Sequence, residues 1–144
     1  MEYKTVRKMS KEEASYLAGL IDGEGTVTLT KREKNAQRTL TITIANTELD
    51  LLEYPVSIIG AGVITRKRVR NERHKLSYAY RVTGRQALAV LSQVLPYLRS
   101  YKKERAKFAL EKYIDVTPRN GRYSQELLEK KKEFDREFLA MLAK

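Results

Sequence analysis

The stretch Tyr16-Leu17-Ala18-Gly19-Leu20-Ile21-Asp22-Gly23-Glu24-Gly25 decides how this chain is read. It has the pattern of a helix that runs out into a strand. Gly19, Gly23 and Gly25, together with Ala18, stand where a helix normally carries bulk. A single glycine inside a helix costs roughly 1 kcal/mol against alanine, so this many imply that something approaches the backbone closely. Asp22 and Glu24 put carboxylates at the carboxyl end of the helix, the end the helix dipole makes unfavourable for negative charge.

Upstream, Ser10-Lys11-Glu12-Glu13 fits a capping box, with Ser10 as N-cap and Glu13 reaching back. The first helix is therefore expected over about 11–22. Ala14, Leu17, Ala18 and Ile21 fall on one face of it at spacings of three and four. Downstream, residues 26–32 alternate. Val27 and Leu29 point one way; Thr26, Thr28, Thr30 and Arg32 point the other. After a polar turn, residues 37–45 repeat the pattern, with Leu40, Ile42 and Ile44 inward and Thr39, Thr41 and Thr43 outward. The expectation is a hairpin with one threonine-rich open face.

Asn46 or Thr47 is then expected to cap a second helix over about 48–59, which Pro55 should kink or split. A third strand is expected from Val63 to about Arg70, a turn from Asn71 to His74, and a fourth strand over 75–83 with Leu76, Tyr78, Tyr80 and Val82 inward. Helices follow over about 85–95 and 98–114. A Pro/Gly/Asn connector leads to a last amphipathic helix, capped by Ser124, over 125–143. The order is α-ββ-α-ββ-α-α-α. It predicts an α+β fold: one antiparallel four-stranded sheet, helices on one face and an open polar face on the other. At 144 residues the whole of 1–144 is expected to be a single domain with a core over about 10–115.

The totals narrow the partners. A hydrophobic fraction of 42% argues against global disorder. Against 18 acidic residues stand 29 basic ones, a formal charge of +11, which favours a polyanion, nucleic acid first and an anionic membrane second. The chain has no cysteine and His74 is its one histidine. Disulfides and thiolate chemistry are thereby excluded, and histidine-built zinc sites and Ser-His-Asp triads are disfavoured. His74 itself stands in an expected turn among charged residues and reads as surface. No apolar run approaches the roughly 18 residues that cross a bilayer, and Met1 to Lys11 has no signal-peptide core. An intracellular protein is expected, in the cytoplasm or nucleoid, or in an organelle that encodes it, with no membrane partner and no small-molecule substrate.

The open face carries Thr26, Thr28, Thr30, Arg32, Gln37, Thr39, Thr41, Thr43, Thr65, Lys67, Ser77 and Arg81. It is poor in carboxylates and rich in donors. A twisted antiparallel ribbon of this kind lies in a DNA major groove, where Arg and Lys meet guanine, Gln meets adenine and Thr meets thymine methyls or phosphates. Threonine is also simply a good strand residue; the charge tips the reading toward nucleic acid. Asp22 and Glu24 suit Mg²⁺, which takes one or two carboxylates plus substrate phosphates. The basic run Arg99, Lys102, Lys103, Arg105 opens an expected helix, where cations oppose the dipole and so favour an anionic partner. Tyr54, Tyr78, Tyr80, Tyr97, Tyr101 and Tyr113 fall mostly at core-like positions.

Leu17 to Gly25 (LAGLIDGEG) resembles the signature of the LAGLIDADG homing endonucleases. The αββαββα order over about 10–115 and the segments Ile44-Ala45-Asn46-Thr47 and Pro96-Tyr97-Leu98 support the resemblance. It implies a site-specific DNA endonuclease that makes Mg²⁺-dependent (or other divalent-metal-dependent) staggered double-strand cuts. One motif copy per chain implies a homodimer on double-stranded DNA, with motif helices meeting through Ala18, Gly19 and Gly23 and a long, partly palindromic target. Glu24 and the Gly23 carbonyl match the metal ligands, Asn46 the position that organises water, and Lys102 the active-site lysine, with Lys103 as the neighbouring alternative. The chain departs from the family where a basic residue often follows the Asn46 position, since Glu48, Leu49 and Asp50 stand there. The same fold and basic surface also serve RNA maturases that assist intron splicing, and DNA-binding regulators that have lost cleavage.

Overall fold

Ser10 starts the first helix through a reciprocal cap: its hydroxyl accepts the Glu13 N–H at 3.1 Å and its own N–H donates to Glu13 Oε1 at 2.8 Å. The computed structural model describes residues 5–67 and 76–143. In chain order it has α1 (Lys11–Glu24), β1 (Gly25–Thr30), β2 (Thr39–Asn46), α2 (Leu49–Ile59), β3 (Val63–Lys67), β4 (Ser77–Thr83), α3 (Gly84–Val94), a 3-10 turn (Leu95–Tyr97), α4 (Tyr101–Val116) and α5 (Gln125–Ala140). The architecture is the expected α+β one. The four strands form one antiparallel sheet in the order β1-β2-β4-β3.

Strand alternation sorts the two faces. Val27, Leu29, Leu40, Ile42, Ile44, Tyr80 and Val82 are buried under the helices. Ala14, Leu17, Ala18 and Ile21 bring α1 onto them, and α1 packs against β1, β2 and α3. α4 and α5 lie together against β1, joined by a stack of Phe108 on Phe134 with ring centroids 5.1 Å apart. Burial of apolar side chains at about 25 cal/mol per Å² is what holds the layers together. Gly62 has φ +95° and a Cβ there would stand 2.5 Å from the Tyr80 hydroxyl and 2.6 Å from its ring, so the turn into β3 needs glycine for both backbone and space. Among the described residues no helix is long and apolar enough to cross a membrane.

Several boundaries differ from the sequence expectation. α1 runs to Glu24, past Asp22, so the whole acidic end of the motif is helical. α2 continues unbroken through Pro55, which is buried. Its N-cap is Glu48, without a side-chain cap; Asn46 serves instead by accepting the Glu48 N–H at 2.9 Å. α4 begins at Tyr101, not Leu98, because Pro96 shapes a 3-10 turn and Ser100 is the cap. Arg32 and Gln37 lie outside β1 and β2, in the connecting loop. Tyr80 and Tyr113 are core, whereas Tyr54 is exposed and packs edge-on to Tyr16 at 5.3 Å. The expected strand end at Arg68 to Arg70, the turn Asn71 to His74 and Lys75 lie outside the described residues.

Candidate active site and nucleic-acid interface

The end of α1 and the start of α4 meet at one corner of the sheet. Asp22, on the last turn of α1, accepts from the backbone N–H of Arg99 at 2.8 Å and of Ser100 at 3.2 Å, and from the Ser100 hydroxyl at 2.5 Å. Ser100 is the N-cap of α4, and its hydroxyl in turn accepts the Lys102 N–H. Partial burial works against charge on Asp22, but the Ser100 hydroxyl and these backbone donors outweigh it and hold the carboxyl below its ordinary value. Asp22 is therefore ionised and fully engaged within the chain.

Glu24, two residues on, is the opposite case. It is the last residue of α1, exposed, and its carboxylate has no hydrogen-bond or ion-pair partner among the described residues. The last carbonyls of a helix have no intrahelical partner. Here the Ile21 carbonyl receives the Gly25 N–H, and Lys102 Nζ donates to the carbonyls of Ile21 and Asp22, each at 2.9 Å. The next carbonyl along is that of Gly23. The register Gly25↔Ile44 places Asn46 just past the paired end of β1, on the side where α1 ends. Its side-chain carbonyl is held by Glu48, which leaves the amide N–H₂ for other partners.

Lys102 corrects the sequence reading in one respect. It is only 8% exposed, and its ammonium is committed to the end of α1 rather than held out toward solvent. Burial lowers its pKa from the ordinary lysine value, and the nearby Asp22 charge works the other way. Lys103 is half-buried, and with Gly19 and Arg99 it lines a cleft of about 630 Å³ between α1 and the segment leading into α4.

The glycines of the motif divide into two kinds. A Cβ on Gly25 would stand 3.0 Å from Ile21 Cα and O and 3.3 Å from Thr43 O, so this glycine lets the chain turn from α1 into β1 against β2. At Gly19 and Gly23 a Cβ would meet, apart from the helix's own backbone, nothing within 4 Å among the described residues, and both are exposed. Ala18, expected on the same contact surface, is fully buried in the chain's own core. It shares the stripe of Ala14 and Ile21, and one helical position cannot face both ways.

On the open face the register aligns Thr26 with Thr43, Thr28 with Thr41, Thr30 with Thr39, Thr43 with Arg81, and Lys67 with Ser77. Thr26, Thr65 and Arg81 are exposed, and Thr28, Thr30, Thr39, Thr43 and Ser77 are partly so. Thr41 is fully buried, which the sequence did not anticipate. Arg81 Nη2 donates to Thr30 Oγ1 at 3.0 Å, Thr30 and Thr41 share a hydrogen bond at 2.7 Å, and Thr41 donates to the Thr39 carbonyl at 3.0 Å. The Thr41 proton is thus used, Thr30 is the donor between the hydroxyls, and the pair lies beneath the arginine. Arg32 and Gln37 are exposed at the hairpin tip; the side chain of Lys67 lies outside the described part.

Sequence reasoning missed the role of Ser100 and placed Arg105 in a basic run facing an anionic partner. Ser100 was legible as an N-cap serine ahead of Glu104 in the first turn. Arg105 is buried, with Nε on the Met141 carbonyl at 2.7 Å and Nη1 on the Val27 carbonyl at 2.8 Å. It is a core tether rather than a DNA contact.

The family described as LAGLIDADG endonuclease matches residues 17–116 of this chain. The fold is similar to that of the homing endonuclease I-CvuI in complex with the I-CreI target, with TM-score 0.72 and 21% identity over 92% of this chain and 83% of that one. It is similar to the archaeal intron-encoded homing endonuclease I-Vdi141I complexed with DNA, with TM-score 0.60 and 15% identity over 92% and 86%. It is also similar to I-GzeII in complex with its DNA target, with TM-score 0.65 and 17% identity over 94% of this chain but 45% of that one. No curated protein sequence matches the chain.

Proposed function

The chain belongs to the LAGLIDADG endonuclease family, and from that premise we propose that it cuts both strands of duplex DNA at a specific site, as a homodimer that holds Mg²⁺ or another divalent ion through Glu24. An endonuclease is a phosphodiester hydrolase. The observation that carries the residue assignment is the contrast at the end of α1: Asp22 takes three hydrogen bonds from Arg99 and Ser100 at the entry to α4, while Glu24 is exposed and without a partner among the described residues.

These groups fit a hard cation. A free carboxylate and a helix-end carbonyl are oxygen donors at the negative end of a helix dipole. Among the described residues no three carboxylates or histidines converge; Glu24 and the Gly23 carbonyl would hold the ion together with substrate phosphates, as Mg²⁺ commonly is held. When bound, the ion supplies an activated water and stabilises charge on the phosphate and leaving oxygen. Glu24 and the Gly23 carbonyl hold it; the Asn46 amide orients water at the strand end. Thr26, Thr28, Thr30, Thr39, Thr43, Thr65, Lys67, Ser77 and Arg81 on the sheet, with Arg32 and Gln37 at the hairpin tip, meet the DNA. Thr41 acts only from beneath, by holding Thr30 under Arg81.

Gly19 and Gly23 support the homodimer. Among the described residues nothing packed against the helix calls for glycine at either position, yet a glycine costs roughly 1 kcal/mol inside a helix. A second copy of α1 laid against this face accounts for both. Two symmetric sheets then read two half-sites, and the target is long and partly palindromic, with a staggered cut. The test is digestion of a plasmid pool carrying randomised inserts, with Mg²⁺ or with EDTA, followed by sequencing of the ends. Staggered ends at one reproducible motif, only with Mg²⁺, are expected. Unaltered plasmid, or cutting that ignores both sequence and EDTA, refutes the proposal.

A further inference from the structure

The two charges at the junction of α1 and α4 are crossed. Asp22 stands on the last turn of α1 and places its carboxylate on the unpaired N–H groups that lead into α4. Lys102 stands on the first turn of α4 and places its ammonium on two carbonyls at the end of α1, that of Asp22 and that of Ile21, which also accepts the Gly25 N–H. Each helix end therefore receives from the other helix the charge that its own dipole attracts. Each also has its orphan backbone groups satisfied from across the junction.

We propose that Asp22 and Lys102 form a reciprocal clamp that fixes the metal-holding end of α1, and that Lys102 is a positioning residue for Gly23 and Glu24. The proposal rests on the reading of Glu24 as a metal ligand. Two of the three N–H groups of Lys102 are spent on adjacent carbonyls, and the side chain is almost fully covered. The second of those carbonyls belongs to Asp22 and is covalently next to Gly23. The ammonium therefore holds the peptide unit that leads into Gly23, and its movement shifts the backbone from which the Gly23 carbonyl and the Glu24 side chain extend. Ser100 ties the two halves together, since its hydroxyl donates to Asp22 and accepts the Lys102 N–H.

The experiment measures backbone amide exchange by NMR on the full chain, together with a Mn²⁺ titration read as broadening of the Glu24 and Gly25 amide signals. Lys102→Met removes the tie between α4 and the end of α1, so that end opens more often and the Gly25 amide, which bonds the Ile21 carbonyl, exchanges faster by about tenfold or more. Asp22→Asn speeds exchange at Arg99 and Ser100 directly and at Gly25 through the clamp. The double variant adds little to either single one, as expected for groups in one network. Mn²⁺ affinity falls by about 10- to 100-fold in both single variants, the usual effect of losing a group that orients a ligand. Phe134→Leu, in the α5 core, destabilises the fold without changing Gly25 exchange or Mn²⁺ affinity. If Lys102→Met leaves Gly25 exchange and Mn²⁺ affinity as in wild type, or if Phe134→Leu reproduces its effects, the clamp is overturned. If wild-type protein shows no Mn²⁺ broadening, the metal reading of Glu24 fails, and amide exchange alone decides the clamp.

Discussion

Gly19→Val separates what α1 needs inside one chain from what it needs in a dimer. Within the chain, a Cβ at position 19 meets nothing within 4 Å, and valine is a slightly better helix residue than glycine. The monomer should therefore be unchanged or more stable by a few tenths of a kcal/mol. Across a two-fold axis the substitution is made twice. Forcing extra carbons into a packed contact costs about 1–3 kcal/mol each, so the pair costs roughly 2–6 kcal/mol. That raises the dimer Kd by about 30-fold to about 20,000-fold. Sedimentation equilibrium over a concentration series gives the Kd, and denaturant unfolding below it gives monomer stability. A variant with wild-type Kd would refute the helix pairing. A variant whose monomer loses a kcal/mol or more would show that Gly19 serves the chain itself.

Other substitutions test the corner around the motif. Gly25→Ala should destabilise the monomer by about 1–3 kcal/mol, because the new methyl stands 3.0 Å from Ile21 backbone atoms; thermal unfolding measures it. Asp22 gives a pH dependence. Its carboxyl is held below the ordinary value in the fold, so its contribution is complete above the ordinary carboxylate range and is lost as pH falls through the lowered value. The difference in unfolding midpoint between wild type and Asp22→Asn should thus be full near neutrality and close in acid; a difference that widens in acid contradicts this. Arg105→Met leaves the buried Val27 carbonyl and the Met141 carbonyl without their donor. It should cost about 2–4 kcal/mol and speed amide exchange around Met141.

Much of the fold was legible because two periodicities are clean. The stripe Ala14, Leu17, Ala18, Ile21 and the alternation through Val27, Leu29, Leu40, Ile42 and Ile44 are all buried as they predict. What escaped the sequence depends on long side chains and on competing faces. Thr41 has an outward register position, yet it is buried, hydrogen-bonded to Thr30, which Arg81 reaches across to bond. Lys102 has the spacing of a surface lysine at a helix start. Its burial follows from where the carbonyl end of α1 falls in space, which no local pattern encodes. Ala18 was read both as core and as contact surface, and helical geometry allows only the first. Tyr54 carries a core-like residue type yet lies outside, against Tyr16. Pro55 removes one backbone donor, but α2 is buried on that side and continues through it.

The central claim is that Glu24, and not Asp22, supplies the carboxylate for cleavage. It is tested most directly by Mg²⁺-dependent linearisation of a plasmid carrying the mapped site, with wild type and Glu24→Gln compared at equal DNA occupancy. Wild type is expected to give linear product, while Glu24→Gln stays bound and leaves the plasmid uncut. Cleavage by Glu24→Gln at the wild-type rate would contradict it.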